Sequence, residues 1–259
     1  MPPTPPRLVR LPDGRDLAVD DVGDPDGVPV VYLHGTPDSR LSRGDDPATA
    51  AAGVRLLAVD RPGCGRSTSH PGRTLGSVAD DLAATLARLG VERAAVLAWS
   101  AGAPYAVALA ARHPAVVSAV GLAAPAVPIT AFADPDVRLA AGPGRELFAE
   151  MAAEMAPDAV AAEVAPFTPV EGPAEEEAVA LGLDGLHQEI AVQAAVPDVD
   201  LAGAAAPATI WAGTADDVAP VAFARWWAAL LPGARVHEVD GDHGLHRAHW
   251  PEILATLTA

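Results

Sequence analysis

The chain has 259 residues, half of them apolar, with 34 acids against 17 basic residues and a formal net charge of −17, which fits one α/β domain with an insertion and excludes wholesale disorder. Every basic residue is arginine and Cys64 is the single cysteine; this excludes lysine Schiff bases, a Walker-type phosphate loop, an internal disulfide and cysteine-rich metal sites. With no basic surplus, no apolar run of about eighteen residues and no signal-peptide pattern in Met1-Pro2-Pro3-Thr4-Pro5-Pro6, a soluble cytoplasmic protein is expected, with neither nucleic acid nor a membrane as partner.

Short apolar runs predict strands at Arg7 to Leu11 and Asp16 to Val22, joined as an antiparallel hairpin at Asp13-Gly14. Further strands follow at Val28 to Leu33, Val54 to Val59, Ala94 to Trp99 and Val116 to Leu122. Helical spacing runs through Val78 to Leu89, with Leu82, Leu86 and Leu89 on one face, and through Tyr105 to Arg112. Alternation of this kind writes a mostly parallel central sheet flanked by helices. After Pro125 the pattern changes to proline, alanine and glutamate, with Phe148, Met151 and Met155 spaced as a helix face. From Pro125 to Pro207 fifteen acids face only Arg138 and Arg145, a balance of −13 against −4 elsewhere. Strands resume at Thr209-Ile210-Trp211 and Arg235 to Val239, each followed by a helix. The expected organisation is a core of residues 1–124 and 207–259 with an inserted α-helical cap at 125–206.

The stretch Ala98-Trp99-Ser100-Ala101-Gly102 sits where a strand gives way to an alanine-rich helix. A serine there stands on a sharp turn, its hydroxyl exposed beside the free N–H groups of the next helix. Gly102 fills one of the two positions where such a turn wants glycine, and Ala98 stands at the other. Pro104 suits the first helical turn, where a missing N–H costs little. The plain alternative is a serine that caps a helix. A serine nucleophile needs a base, a group to orient it and donors for an oxyanion. Gly213-Thr214-Ala215-Asp216-Asp217-Val218-Ala219-Pro220 puts carboxylates beyond one strand's carboxyl end, and Asp240-Gly241-Asp242-His243-Gly244 puts a histidine beyond the next. Open α/β sheets build their sites on that edge.

The order Ser100, Asp216, His243 resembles the α/β-hydrolase family, whose triad follows that sequence. His34-Gly35-Thr36-Pro37 and Asp60-Arg61-Pro62-Gly63-Cys64-Gly65-Arg66-Ser67 strengthen the resemblance, which covers most of residues 7 to 257 outside the cap. It implies Ser100 as nucleophile, His243 as base, Asp216 fixing the imidazole tautomer, and the N–H groups of Thr36 and Ala101 as the oxyanion hole. Thr36, Cys64, Trp99 and His34 are then expected around the substrate or its loop, with no cofactor and no metal. Asp217 competes with Asp216, although the spacing from Gly213 to Pro220 favours Asp216. His246 and His249 compete with His243 but read as helical, and a metal site on those histidines is the weaker account. Glu175-Glu176-Glu177 reads as a solvated helix face. The implied reaction is hydrolysis of a small to medium, neutral or apolar ester or lactone. A proline-releasing aminopeptidase, a carbon–carbon bond hydrolase and a slow small-molecule receptor on the same fold are the alternatives.

Overall fold

The apolar runs form one eight-stranded sheet in the computed structural model, which describes residues 5–259. The leader-free reading of the N-terminus therefore falls, for residues 1–4, outside the described residues. In chain order the strands are β1 (Arg7–Arg10), β2 (Asp16–Gly23), β3 (Val28–Leu33), β4 (Val54–Val59), β5 (Ala94–Trp99), β6 (Val117–Ala123), β7 (Ala208–Gly213) and β8 (Arg235–Val239). Across the sheet they lie as β1-β2-β4-β3-β5-β6-β7-β8. The pairs β1 with β2 and β2 with β4 are antiparallel, and all others are parallel. Strand β5 reads as an unbroken apolar run because helices cover both faces of the sheet, whereas β4 is interrupted by Arg55, which pairs with Asp21 at 2.7 Å.

Three helices connect the first six strands: α1 (Asp46–Ala51), α2 (Leu75–Arg88) and α3 (Ala103–Arg112). Helix α2 starts three residues before the apolar spacing suggests. Thr74 caps it, its hydroxyl accepting from the Ser77 N–H at 3.1 Å while the Ser77 hydroxyl accepts from the Thr74 N–H at 2.9 Å. Between β6 and β7 the chain is helical: α4 (Pro135–Ala140), α5 (Gly142–Glu154), α6 (Pro157–Val164), α7 (Pro173–Ala178) and α8 (Asp184–Ala194). Helix α9 (Val221–Leu230) links β7 to β8, and α10 (Leu245–Ala248) and α11 (Trp250–Leu257) finish the fold. Among the described residues no helix is long and apolar enough to cross a membrane.

Two expectations about the inserted helices are corrected. Met155 leaves the face of Phe148 and Met151, because α5 ends at Glu154 and the chain runs extended through Ala156 into Pro157. Phe148 packs instead beside the small core that Ala161 and Ala165 build with Leu186 and Ile190 of α8. The second correction concerns Glu177, which is not solvated: it accepts from Arg40 at 2.8 Å and from Arg66 at 2.9 Å.

Arg40 is fully buried in the turn after β3, and it gathers acids from three parts of the chain. Its guanidinium reaches Asp20 of β2 at 2.9 Å, Asp60 beyond β4 at 2.7 Å and Glu177 of α7. Removing one partner of such a cluster strands charge in a place water does not reach. Arg40→Met is expected to cost about 3–5 kcal/mol in urea unfolding, and a loss below 1 kcal/mol would mean that the cluster is solvated. Asp38, two residues earlier and also buried, accepts from the Ser39 N–H at 2.7 Å. Burial nevertheless pushes its carboxyl up to about 7. The folded state thus binds this proton more tightly than the unfolded state, and the resulting stability, complete below the ordinary Asp range, is lost as pH rises towards 7. Thermal melting should show Asp38→Asn gaining on the wild type between about pH 4 and 7, whereas a constant gap would contradict this.

Candidate active site

The sheet register brings the site residues together. Leu33 of β3 pairs with Ala98 of β5, so the loop His34-Gly35-Thr36 lies beside Ser100. Trp99 pairs with Ala123, Ala123 with Trp211, and Gly213 with Val239, which aligns the carboxyl ends of β5 through β8. Ser100 takes φ of 53°, a left-handed conformation that costs a non-glycine residue about 1–3 kcal/mol. The turn is tight enough that a Cβ at Gly102 would sit 2.5 Å from the Leu33 carbonyl oxygen. At the other small position Ala98 is fully buried in the strand, its methyl packed in the main core. Ala101 lies in the 3₁₀ turn Ser100–Gly102 that leads into α3, where early N–H groups lack carbonyls within the helix.

The turns carrying the acid and the histidine are built against each other. A Cβ at Gly213 would meet the Gly241 carbonyl oxygen at 2.5 Å, and the Ala215 N–H donates to that same oxygen at 3.0 Å. Asp216 Oδ1 accepts from the N–H groups of Val218 at 2.9 Å and Ala219 at 2.8 Å. Its Oδ2 stands 2.9 Å from His243 Nδ1, and His243 Nε2 stands 2.9 Å from Ser100 Oγ. With Nδ1–H donated to the carboxylate, Nε2 is left to accept from the serine hydroxyl. Asp217 points to solvent. His246 is buried, stacks on Trp99 at 4.5 Å and reaches the Ser42 carbonyl at 3.0 Å; burial holds it down at about 4. His249 bonds the Asp240 carbonyl at 3.1 Å. Among the described residues no three His, Cys, Asp or Glu side chains are grouped to hold a metal ion.

The residues expected around the substrate are mostly committed elsewhere. Trp99 donates its indole N–H to the His243 carbonyl at 2.8 Å, bracing the histidine from below. His34 is fully buried; its Nδ1–H donates to the Gly35 carbonyl at 2.8 Å and its Nε2 accepts from the Arg61 N–H at 3.2 Å. Burial and the nearby Arg61 guanidinium keep it neutral, and no ring nitrogen is left for a ligand. The Thr36 hydroxyl donates to Glu189 Oε2 at 2.8 Å, so it faces the inserted helices and not a substrate. Cys64 lies beside Thr36, Pro37 and Glu189 in a small enclosed space, its thiol pushed up to about 12 by burial and by Glu189.

Four residues to which the sequence reading gives no role form the support of this loop. Glu189 of α8 is buried, with Arg61 at 2.6 Å, Arg73 at 2.7 Å and the Tyr105 hydroxyl at 3.2 Å. Arg61 also donates to the carbonyl of His34 and, at 2.8 Å, to that of Gly35. The signal was present in α8, where an acid sits between Leu186 and Ile190 on the apolar face. An acid at such a position calls for a buried cation.

Comparison with known proteins agrees with this fold. The alpha/beta hydrolase fold family matches residues 28–170. A proline iminopeptidase from Xylella fastidiosa is 33% identical over 114 residues, covering 41% of this chain and 35% of that protein. Epoxide hydrolase B from Mycobacterium tuberculosis is 35% identical over 125 residues, covering 46% of this chain and 35% of that protein. The matched stretch thus spans about a third of the length of these curated relatives. Among solved structures, an esterase from Exiguobacterium antarcticum superposes with a TM-score of 0.69 at 22% identity, covering 97% of each chain. The enol-lactonase from Burkholderia xenovorans LB400 gives 0.64 at 22% identity, covering 96% of this chain and 97% of its own. At those identities the structures speak for the fold, and with the family match running over more than half of its length, the chain belongs to the alpha/beta hydrolase fold family.

Proposed function

We propose that the protein is a serine hydrolase acting on a small to medium, uncharged ester or lactone. The observation that carries this reading is the unbroken relay from Asp216 Oδ2 through His243 to Ser100 Oγ, each step 2.9 Å, ending on a serine held at positive φ. In the proposed reaction Ser100 Oγ attacks the carbonyl carbon while His243 Nε2 takes its proton. The N–H groups of Ala101 and Thr36 stabilise the oxyanion. Collapse breaks the carbon–oxygen bond, and the departing alkoxide takes the proton from His243. Water then attacks the acyl-enzyme by the same route in reverse, releasing the acid and restoring Ser100.

A serine at this position disfavours epoxide opening by the branch of the family that uses an aspartate nucleophile there. Aminopeptidase chemistry has support in the names of three relatives, two proline iminopeptidases and a probable one. That reaction needs acids free to hold a substrate amine, yet Glu189 and Glu177 are already bound to arginines. A neutral substrate fits these saturated acids better.

Ser100→Ala should abolish p-nitrophenyl ester hydrolysis and fluorophosphonate labelling; labelling that persists in the variant would place the nucleophile elsewhere. Asp216→Asn is expected to lower kcat by about 10⁴-fold. Asp217→Asn should leave kcat within about twofold, since an exposed side chain outside the relay contributes little. Equal losses in the two variants would remove Asp216 from its role.

A further inference from the structure

The inserted segment holds fifteen acids and two arginines, so an arginine there has carboxylates to spare. Arg138 lies 3.7 Å from Glu146. Arg145 of α5 is different: among the described residues no acid lies within ion-pair reach of it and no acceptor takes a hydrogen bond from it. Its guanidinium rests over the Phe223 ring, 5.8 Å from the centroid, a contact that leaves its N–H donors free. Burial lowers its pKa and the carboxylate of Asp216 acts against that, so the group stays charged. The side chain is nevertheless only half-buried, and its nitrogens, unlike two of those in Arg73, are not sealed from solvent. A cation packed among many atoms with open donors faces a cleft, and the stability that an unpaired charge costs is returned by a bound anion.

The platform under this arginine belongs to the active site. Phe223 lies in the first turn of α9, directly after the loop whose Val218 and Ala219 N–H groups hold Asp216. Phe132 packs edge-on against Phe223 at 6.3 Å, and its turn, Ile129–Ala133, follows the Ala126 N–H that donates to the Ser100 carbonyl at 3.0 Å. Arg145 is thus held over the carboxyl edge of the sheet, beside the segments that touch the acid and the serine. In the reaction proposed above a neutral ester becomes an acid, which at neutral pH passes its proton to water and leaves as a carboxylate. So acidic an insertion repels that anion, and Arg145 is the open positive group beside its path. We infer that Arg145 is a carboxylate-binding site in the wall of the active-site cleft, holding the acid product through guanidinium–carboxylate hydrogen bonds. Product then competes with substrate. The inference rests on the serine-hydrolase reading.

Butanoate and its uncharged isostere butanamide test it by calorimetric titration at pH 7 and low salt, with the Ser100→Ala protein used so that binding is read without turnover. Butanoate should bind at least about tenfold tighter than butanamide, and Arg145→Gln in the same background should erase that preference. Helix α5 buries none of its residues and glutamine is a good helix former, so the variant keeps its fold. Equal binding of the two ligands, or a preference that survives in Arg145→Gln, overturns the inference. With active enzyme, butanoate should inhibit p-nitrophenyl butanoate hydrolysis competitively; non-competitive inhibition would put the carboxylate outside the cleft and overturn it too. A mono-p-nitrophenyl glutarate hydrolysed faster than p-nitrophenyl butanoate through Arg145 would make this a substrate site, overturning both the product assignment and the uncharged substrate. Arg145-dependent binding of butanoate without any Ser100-dependent ester release would leave an anion site and sink the hydrolase reading, and the product assignment with it.

Discussion

Glu189 holds together what the sequence keeps far apart. Its carboxylate comes from the inserted helices, the arginines that meet it come from the segments after β4 and before α2, and the threonine hydroxyl it receives comes from the loop after β3. Removing these ions from water costs several kcal/mol each, and only a fully hydrogen-bonded arrangement offsets that cost. Here both carboxylate oxygens are occupied and Arg61 spends its remaining donors on the carbonyls of His34 and Gly35, whereas Arg73 keeps its Nε and Nη1 buried without a partner in the protein. The loop proposed to bind the oxyanion is therefore positioned by a residue of the insertion. Docking of those helices and the geometry beside Ser100 become one structural event.

The strands contribute the other half of the arrangement. A chain that runs from β3 out to β4 and back across to β5 leaves two carboxyl ends adjacent, and that gap receives both the serine turn and its facing loop. Beyond it, β6, β7 and β8 continue in parallel register, so two short loops are enough to bring an acid and a histidine to the serine. Gly102 and Gly213 mark where this convergence is tightest, each facing a carbonyl oxygen that leaves no room for a side chain.

Much of this was legible in the residues, and the limits are instructive. Strands β3, β4, β5 and β8 begin and end where the sequence places them: β5 because a buried parallel strand is apolar on both faces and shows sharp edges, and the largely exposed β8 because Pro232-Gly233 and Asp240-Gly241 bracket it. Ser100, Asp216 and His243 could be found because each follows a strand closely and turn residues mark the spot. Arg61 and Glu189 could not be paired that way: 128 positions separate them, and no local pattern says which buried cation meets which buried acid. Glu177 was misread for the same reason, since a run of three glutamates looks solvated until Arg40 is found beneath it. Thr36 drew attention for its hydroxyl, yet that hydroxyl is turned away towards Glu189.

The absence of lysine has a consequence for the range of acidity the fold endures. Arginine does not lose its proton under any condition a folded protein meets, so the positive side of these buried junctions has no alkaline limit. Their weak side is acidic, and it lies far out: the Arg61 and Arg73 guanidiniums overcome burial and hold the Glu189 carboxyl well below the usual carboxylate range. A lowered pKa contributes stability above the unfolded value and surrenders it only as pH falls towards the folded one. The seam between insertion and sheet is thus fastened by charges that stay charged, and strong acid is the condition that would unfasten it.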